Sequence, residues 1–242
     1  MKKILLSCCL ALFVSGVQAL PWEKLNLDFS VGQIQHEVFG VRAIHLSLKG
    51  AGGELTLENL NVLGQVWPKI RIVCASLRPE PGAFSCAQGR LYLAEGAPIG
   101  LRLAQEGENW RLTLQPTPGE RWELLYGKTR ASLVIRDGNP RLLPRLVPAL
   151  AQFIPWQPGG KLNGRLELSA RTFTAQLTLE DGLFNSPDGL SAAENLALTL
   201  NLAGQKVAQN WRMQGRLDWR QGAVYHAPAL LTADAQSLEF AG

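Results

Sequence analysis

The side chains able to do chemistry are few and scattered. Histidine occurs three times, at His36, His45 and His226. There is no H-E-x-x-H pair to hold zinc and no G-x-S-x-G nucleophile elbow. Ser-x-x-Lys in a helical setting and a phosphate loop ending in Lys are also missing. His36-Glu37 suggests a metal or acid-base pair, but it reads better as an exposed polar pair in a strand or loop. His45 alternates with Ile44 and Leu46 and so should face solvent. Glu106 with Glu108, and Glu180 with Asp181, fall at turn signals where carboxylates are solvated. Glycoside hydrolysis needs two carboxyls on facing strands, which the sequence does not place. Gly50-Ala51-Gly52-Gly53 lies between two strand patterns with no helix after it, and reads as a hairpin turn. These residues predict no enzyme, no metal and no cofactor.

Two further residue types have chemical use. Cys74 and Cys86 both follow strand-like residues and enclose a turn built from Pro79, Pro81 and Gly82. A hairpin there brings the two thiols together, and in an oxidising compartment they should form a disulfide. A metal pair lacks a nearby His, and a catalytic thiol lacks the C-x-x-C spacing. Seven tryptophans either anchor a sheet core, with each indole N–H finding a carbonyl, or line a lipid or glycan site. Trp211, Met213, Leu217 and Trp219 share one face of one strand pattern and are the candidate apolar groove.

The elements that must position these residues begin after an export leader. Met1–Ala19 carries Lys2 and Lys3, an apolar stretch from Ile4 to Val14 and a small-residue end at Val17-Gln18-Ala19. This reads as a signal peptide cut after Ala19, too short to span a bilayer, so a periplasmic protein is expected, with association to the inner membrane left open. Leu5-Leu6-Ser7-Cys8 makes a poor lipoprotein site. The net charge of +4 includes Lys2 and Lys3, and the remaining Arg residues are dispersed. With no basic patch, nucleic acid is not an expected partner.

Period two dominates the rest. Leu25, Leu27, Phe29 and Val31 alternate with polar residues, as do Ile44, Leu46 and Leu48, and later Leu112 and Leu114, Trp122 and Leu124, and Leu133 and Ile135. Turn signals recur about every 8 to 12 residues, the spacing of an antiparallel meander, and Asp137-Gly138 is read as one of them. Between 139 and 160 the period changes to three and four, broken by Pro144 and Pro148, which predicts a short irregular helix that plugs one end of a sheet or links two sheets. The expected organisation is a leader at 1–19, a β-meander with a disulfide hairpin at 20–138, a Pro-rich connector at 139–160, and a hairpin-repeat region at 161–242, in the same sheet or a second β subdomain. The fold class is mainly β: a long curved antiparallel sheet built from hairpins, open and groove-like, with one short irregular helix near 140–155.

The last region carries a loose repeat. Gly164-Arg165-Leu166-Glu167-Leu168 is followed by Asp181-Gly182 and Pro187, and Gly215-Arg216-Leu217-Asp218-Trp219 by Gln221-Gly222 and Pro228. Each is read as a strand, a glycine hairpin turn and a strand ended by Pro. With the leader, the Leu-rich strands and the scarcity of reactive groups, this pattern resembles the AsmA-like proteins of the Gram-negative envelope, of the TamB and YdbH types, and the similar type II secretion system protein N. The resemblance covers mainly residues 160–242. It implies a non-enzymatic envelope protein whose curved sheet forms an apolar groove for phospholipid or another acyl-chain ligand, or supports an envelope assembly, and whose open strand edge docks an envelope protein. The chain is far shorter than the lipid-bridging members, so a complete bridge is not expected of it alone. The alternatives are a secretion-system scaffold and a secreted glycan-binding or hydrolase β-sandwich.

Overall fold

The computed structural model describes residues 26–36, 39–62, 64–80, 82–94, 96–233 and 235–241. The expected leader Met1–Ala19, Leu25, Glu37 of the His36-Glu37 pair, and Pro81 of the cysteine-flanked turn lie outside them. The chain is mainly β, an open antiparallel sheet with one short irregular helical segment, as its alternation requires. It divides into two compact units between Glu108 and Asn109, so the 139–160 connector lies inside the second unit.

The first unit contains β1 (Asn26–Val31), β2 (Ile34–Gln35), β3 (Phe39–Val41), β4 (Ala43–Lys49), β5 (Gly52–Val62), β6 (Gln65–Cys74), β7 (Leu77–Glu80), β8 (Ala83–Tyr92) and β9 (Ile99–Glu106). The main ladder runs β1, β4, β5, β6, β8, β9, antiparallel throughout. Its register stacks like with like. Phe29, Leu46, Leu55, Ile72, Leu91 and Ile99 form one cross-strand row, while Asp28, Ser47 and Glu54 belong to a row on the opposite face. A one-residue slip would exchange those faces, so the alternation fixes the pairing. Cys74 and Cys86 are joined by a disulfide with Cα atoms 5.9 Å apart, at the base of the β7–β8 hairpin. Both are buried.

The second unit contains β10 (Asn109–Gln115), β11 (Arg121–Tyr126), β12 (Arg130–Gly138), β13 (Gly159–Ser169), β14 (Thr172–Asn185), β15 (Ser191–Val207), β16 (Asn210–His226), β17 (Ala229–Thr232) and β18 (Gln236–Ala241). Each strand from β10 to β16 pairs antiparallel with the next, and β17 and β18 share the far edge of β16. Strands β15 and β16 each reach 17 residues, beyond the expected turn spacing. Asp137-Gly138, Asp181-Gly182 and Gln221-Gly222 are not hairpin turns, so β14 and β16 run on past the glycines read as their turns. Each lies inside a strand where the ladder shifts register, with Asp137, Asp181 and Gly222 at φ of 48°, 49° and 105°. A bulge and a tight turn both need a residue tolerant of positive φ, so the same dipeptide signals either.

The repeat is corrected in the same way. Gly164-Arg165-Leu166-Glu167 and Gly215-Arg216-Leu217-Asp218 play equal parts in β13 and β16, each Arg bonding the carboxylate two residues on, at 2.7 Å and 2.8 Å. The following polar-Gly pair, however, lies on the next strand after the first motif and on the same strand after the second. That difference accounts for the unequal offsets, 51 residues between the first glycines and 40 between the second.

Prolines divide the helical segment into Pro140–Leu142, Leu143–Leu146 and Pro148–Trp156. It packs back on its own sheet: Trp156 meets the Phe184 ring at 5.5 Å and Leu142 is buried. It joins β12 to β13, which pair directly with each other. Leu114, Trp122, Ile135, Leu162, Ala175, Ala193 and Leu196, all buried, are the sheet residues of this unit's core. The buried Glu120 ties the start of the segment to them, its carboxylate accepting from the Trp122 indole N–H (2.8 Å), the Asn139 N–H (2.8 Å) and the Thr117 hydroxyl (3.2 Å).

Candidate functional site

The register of the second unit builds one apolar face from single leucines on different strands. One row runs Leu114, Trp122, Ile135, Gly164, Leu177, Leu200, Leu217, Leu238, crossing every strand from β10 to β16 and ending on β18. The next runs Leu112, Leu124, Leu133, Leu166, Ala175, Leu202, Gly215, Phe240. At roughly 4.8 Å per strand such a row extends about 34 Å. Its glycines are occupied by their neighbours: a Cβ at Gly215 would collide with the Phe240 ring and the Leu202 side chain, and one at Gly204 with Met213.

Trp211, Met213, Leu217 and Trp219 all lie on this face, opposite Lys206, Gly204, Leu200 and Leu198 respectively. The Trp219 indole N–H donates to the Gln221 carbonyl at 2.9 Å, so the ring is held at one end and its body is left for contact. The helical segment covers only the end of the face near Phe184. Away from it the apolar residues stay accessible, Leu168 at 47%, Trp211 at 40% and Leu238 at 61%. The face is wider than the four residues read from the sequence. Leu177, Leu200 and Leu202 complete it, and the signal for the last two was the strict alternation from Leu196 to Leu202.

The opposite face is polar and holds a concavity of about 870 Å³, lined by Arg165, Glu167, Gln176, Asn201, Gln214, Arg216 and Glu239 among others. None of the four candidate groove residues lines it. A smaller one of about 350 Å³ lies between Arg141, Gln157 and strands β14 to β17, and it too excludes them. Ala175, Leu202, Gly215 and Phe240 of the second apolar row also contribute to the hollow of about 870 Å³, and the four candidate residues lie outside both concavities.

The histidines settle into cross-strand pairs. His45 is exposed as expected, with its Nδ1 2.8 Å from Ser30 Oγ, and His226 Nδ1 lies 2.7 Å from Ser191 Oγ. The second pair was invisible in the sequence because 35 residues separate its members. Nearby Asp188 accepts from Ser186 Oγ (2.5 Å) and the Leu190 N–H (3.0 Å), bonds that hold its carboxyl below the ordinary range. These bonds close the turn between β14 and β15. Glu106, Glu108, Glu180 and Asp181 are all exposed. His36 stacks on Phe39 with ring centroids 5.5 Å apart. Among the described residues no group of three His, Cys, Asp or Glu is placed to hold a metal ion, and no helix is long and apolar enough to cross a membrane.

Fold and face together define an amphipathic antiparallel sheet, one side leucine and aromatic, the other an array of amides and ion pairs. Comparison with protein-family models, with curated proteins and with solved structures finds no match to this chain.

Proposed function

We propose that this chain is a non-enzymatic protein of the Gram-negative periplasm that holds the acyl chains of a phospholipid against the apolar face of its second unit. The observation that carries this reading is the continuity of that face, two cross-strand rows of apolar residues, glycine excepted, over eight strands, buried at Leu114, Trp122, Ile135 and Ala175, half-buried across Leu177, Leu200, Leu202 and Leu217, and exposed at Leu124, Leu238 and Phe240. Exposed apolar surface of this extent marks a binding site in a folded protein. Each methylene moved from water onto such a surface contributes up to about 0.8 kcal/mol, so a chain laid across the rows gains affinity with length. The leader and the resemblance to AsmA-like proteins point to the same compartment and ligand class.

The test is quenching of tryptophan fluorescence by fatty acids brominated along the chain. Trp211 and Trp219 should be quenched, and affinity should rise with chain length. Leu217→Asp places a charge in the middle of the row between Leu200 and Leu238 and should weaken binding at least tenfold while export continues. Binding unchanged in that variant would show the face to be ordinary core and remove the proposal.

A further inference from the structure

Adjacent cross-strand rows point to opposite faces of a sheet, and along most of the second unit they differ sharply: Leu177, Leu200 and Leu217 on one face, Gln176, Asn201 and Arg216 on the other. At the end where β14 stops and β15 starts, that contrast is lost. One row there runs Phe184, Ala193, Val224, Leu231, and the next runs Asn185, Ala192, Tyr225, Leu230. Both faces carry apolar side chains, and the neighbours Leu230 and Leu231, which point opposite ways, are 63% and 60% exposed. Leu183, Leu190 and Tyr225 are exposed at the same end.

The helical segment enlarges this apolar end. Phe153 meets Trp156 edge-on at 5.7 Å, and Trp156 meets Phe184 at 5.5 Å, so an aromatic chain joins the segment to the first of the two rows. Outside that chain, Ala151, Gln152, Phe153, Ile154 and Pro155 form a continuous exposed run. Between residues 139 and 158 the only charged residues are Arg141 and Arg145. Arg141 lines the hollow of about 350 Å³ together with Tyr225 and Leu230, which puts a cation beside the exposed leucines; Glu194 lines it as well. The backbone at this end is paired, with the Ser186 N–H donating to the Ser191 carbonyl at 2.7 Å and the Ala227 N–H to the Leu190 carbonyl at 2.9 Å, so an apolar medium there meets few bare peptide groups.

A bound acyl chain needs one apolar face. A sheet end that is apolar on both faces, carries a projecting Phe-Ile run and has arginine and amphipathic rings beside it fits the interface of a bilayer, which surrounds what enters it. We propose that this end of the second unit docks on the surface of a phospholipid bilayer, with Phe153, Ile154, Leu230 and Leu231 entering the headgroup region and Arg141 meeting lipid phosphate.

The test uses the exported protein, in which Cys74 and Cys86 are already joined, and vesicles of phosphatidylethanolamine with phosphatidylglycerol. The unaltered protein should sediment with these vesicles. An environment-sensitive fluorophore on Ile154→Cys or Leu230→Cys should shift to the blue when vesicles are added, and the same label on Thr174→Cys, in the middle of β14 on the polar face, should not. Phe153→Asp with Leu230→Asp should lower partitioning at least tenfold, and Arg141→Gln should weaken it severalfold. A protein that stays in solution, a Thr174 label that shifts as far as the other two, or undiminished partitioning of the Asp double variant would each overturn the docking. The proposal stands on the end of the sheet and not on acyl binding along the rows: vesicle binding without quenching by brominated fatty acids removes the lipid-holding reading alone, and quenching without vesicle binding removes the docking alone.

Discussion

Glu120 shows how one side chain fixes the covered end of the face. Its carboxylate takes three donors, including the Trp122 indole N–H and the backbone of Asn139, where the helical segment starts. Glu120→Ala leaves buried donors without a partner and should destabilise the protein by about 2 to 3 kcal/mol in denaturant unfolding. An effect below about 0.5 kcal/mol would mean that the segment is held by packing alone. The surface carboxylates act differently. The side-chain hydrogen bond from Arg71, followed by its charge, holds the Glu54 carboxyl below its ordinary range, and Asp218 is lowered first by Arg216 and then by Ser237. Groups depressed in the fold stabilise it above their unfolded values, near pH 4, and lose that contribution as pH falls through the folded values. Thermal midpoints should therefore be level between about pH 5 and 8 and fall below about pH 4. High salt should reduce the neutral-pH increment, because these pairs are exposed.

Among the elements, strands were readable and their interruptions were not. The alternation of Leu112 and Leu114 appears as a strand with these residues half-buried and buried, whereas in β1 Leu27 and Val31 are half-buried and Phe29 is exposed. The β7–β8 hairpin and its disulfide followed from two cysteines around a Pro-Gly turn. What the residues did not separate is a turn from a bulge, since Asp137, Asp181 and Gly222 supply the same backbone freedom to both. Only the partner strand decides. The four candidate groove residues alternate along β16 and so share one face, yet the polar hollow had no counterpart in the sequence, because it depends on five strands being side by side. Two variants test these elements. Gly222→Val puts a Cβ against the carbonyls of Glu194 and Asn195 at positive φ, and should lower stability by more than about 1 kcal/mol. Replacing both Cys74 and Cys86 by Ser should cost about 3 kcal/mol and abolish any shift of the melting midpoint by reductant. A midpoint of the unaltered protein that is unmoved by reductant would deny the bridge a stabilising part.

For the chain as a whole, the central claim is that its apolar sheet face exists to be covered by acyl chains. Apolar sheet surface that is left uncovered is an aggregation hazard, and a bound acyl chain would cover it. The most direct measurement is native mass spectrometry of the mature protein purified gently from a bacterial periplasm, before and after organic extraction. The account predicts additional mass matching phospholipid that leaves on extraction and is reduced in Leu217→Asp. A clean protein mass before extraction, with the same spectrum in the variant, would contradict it.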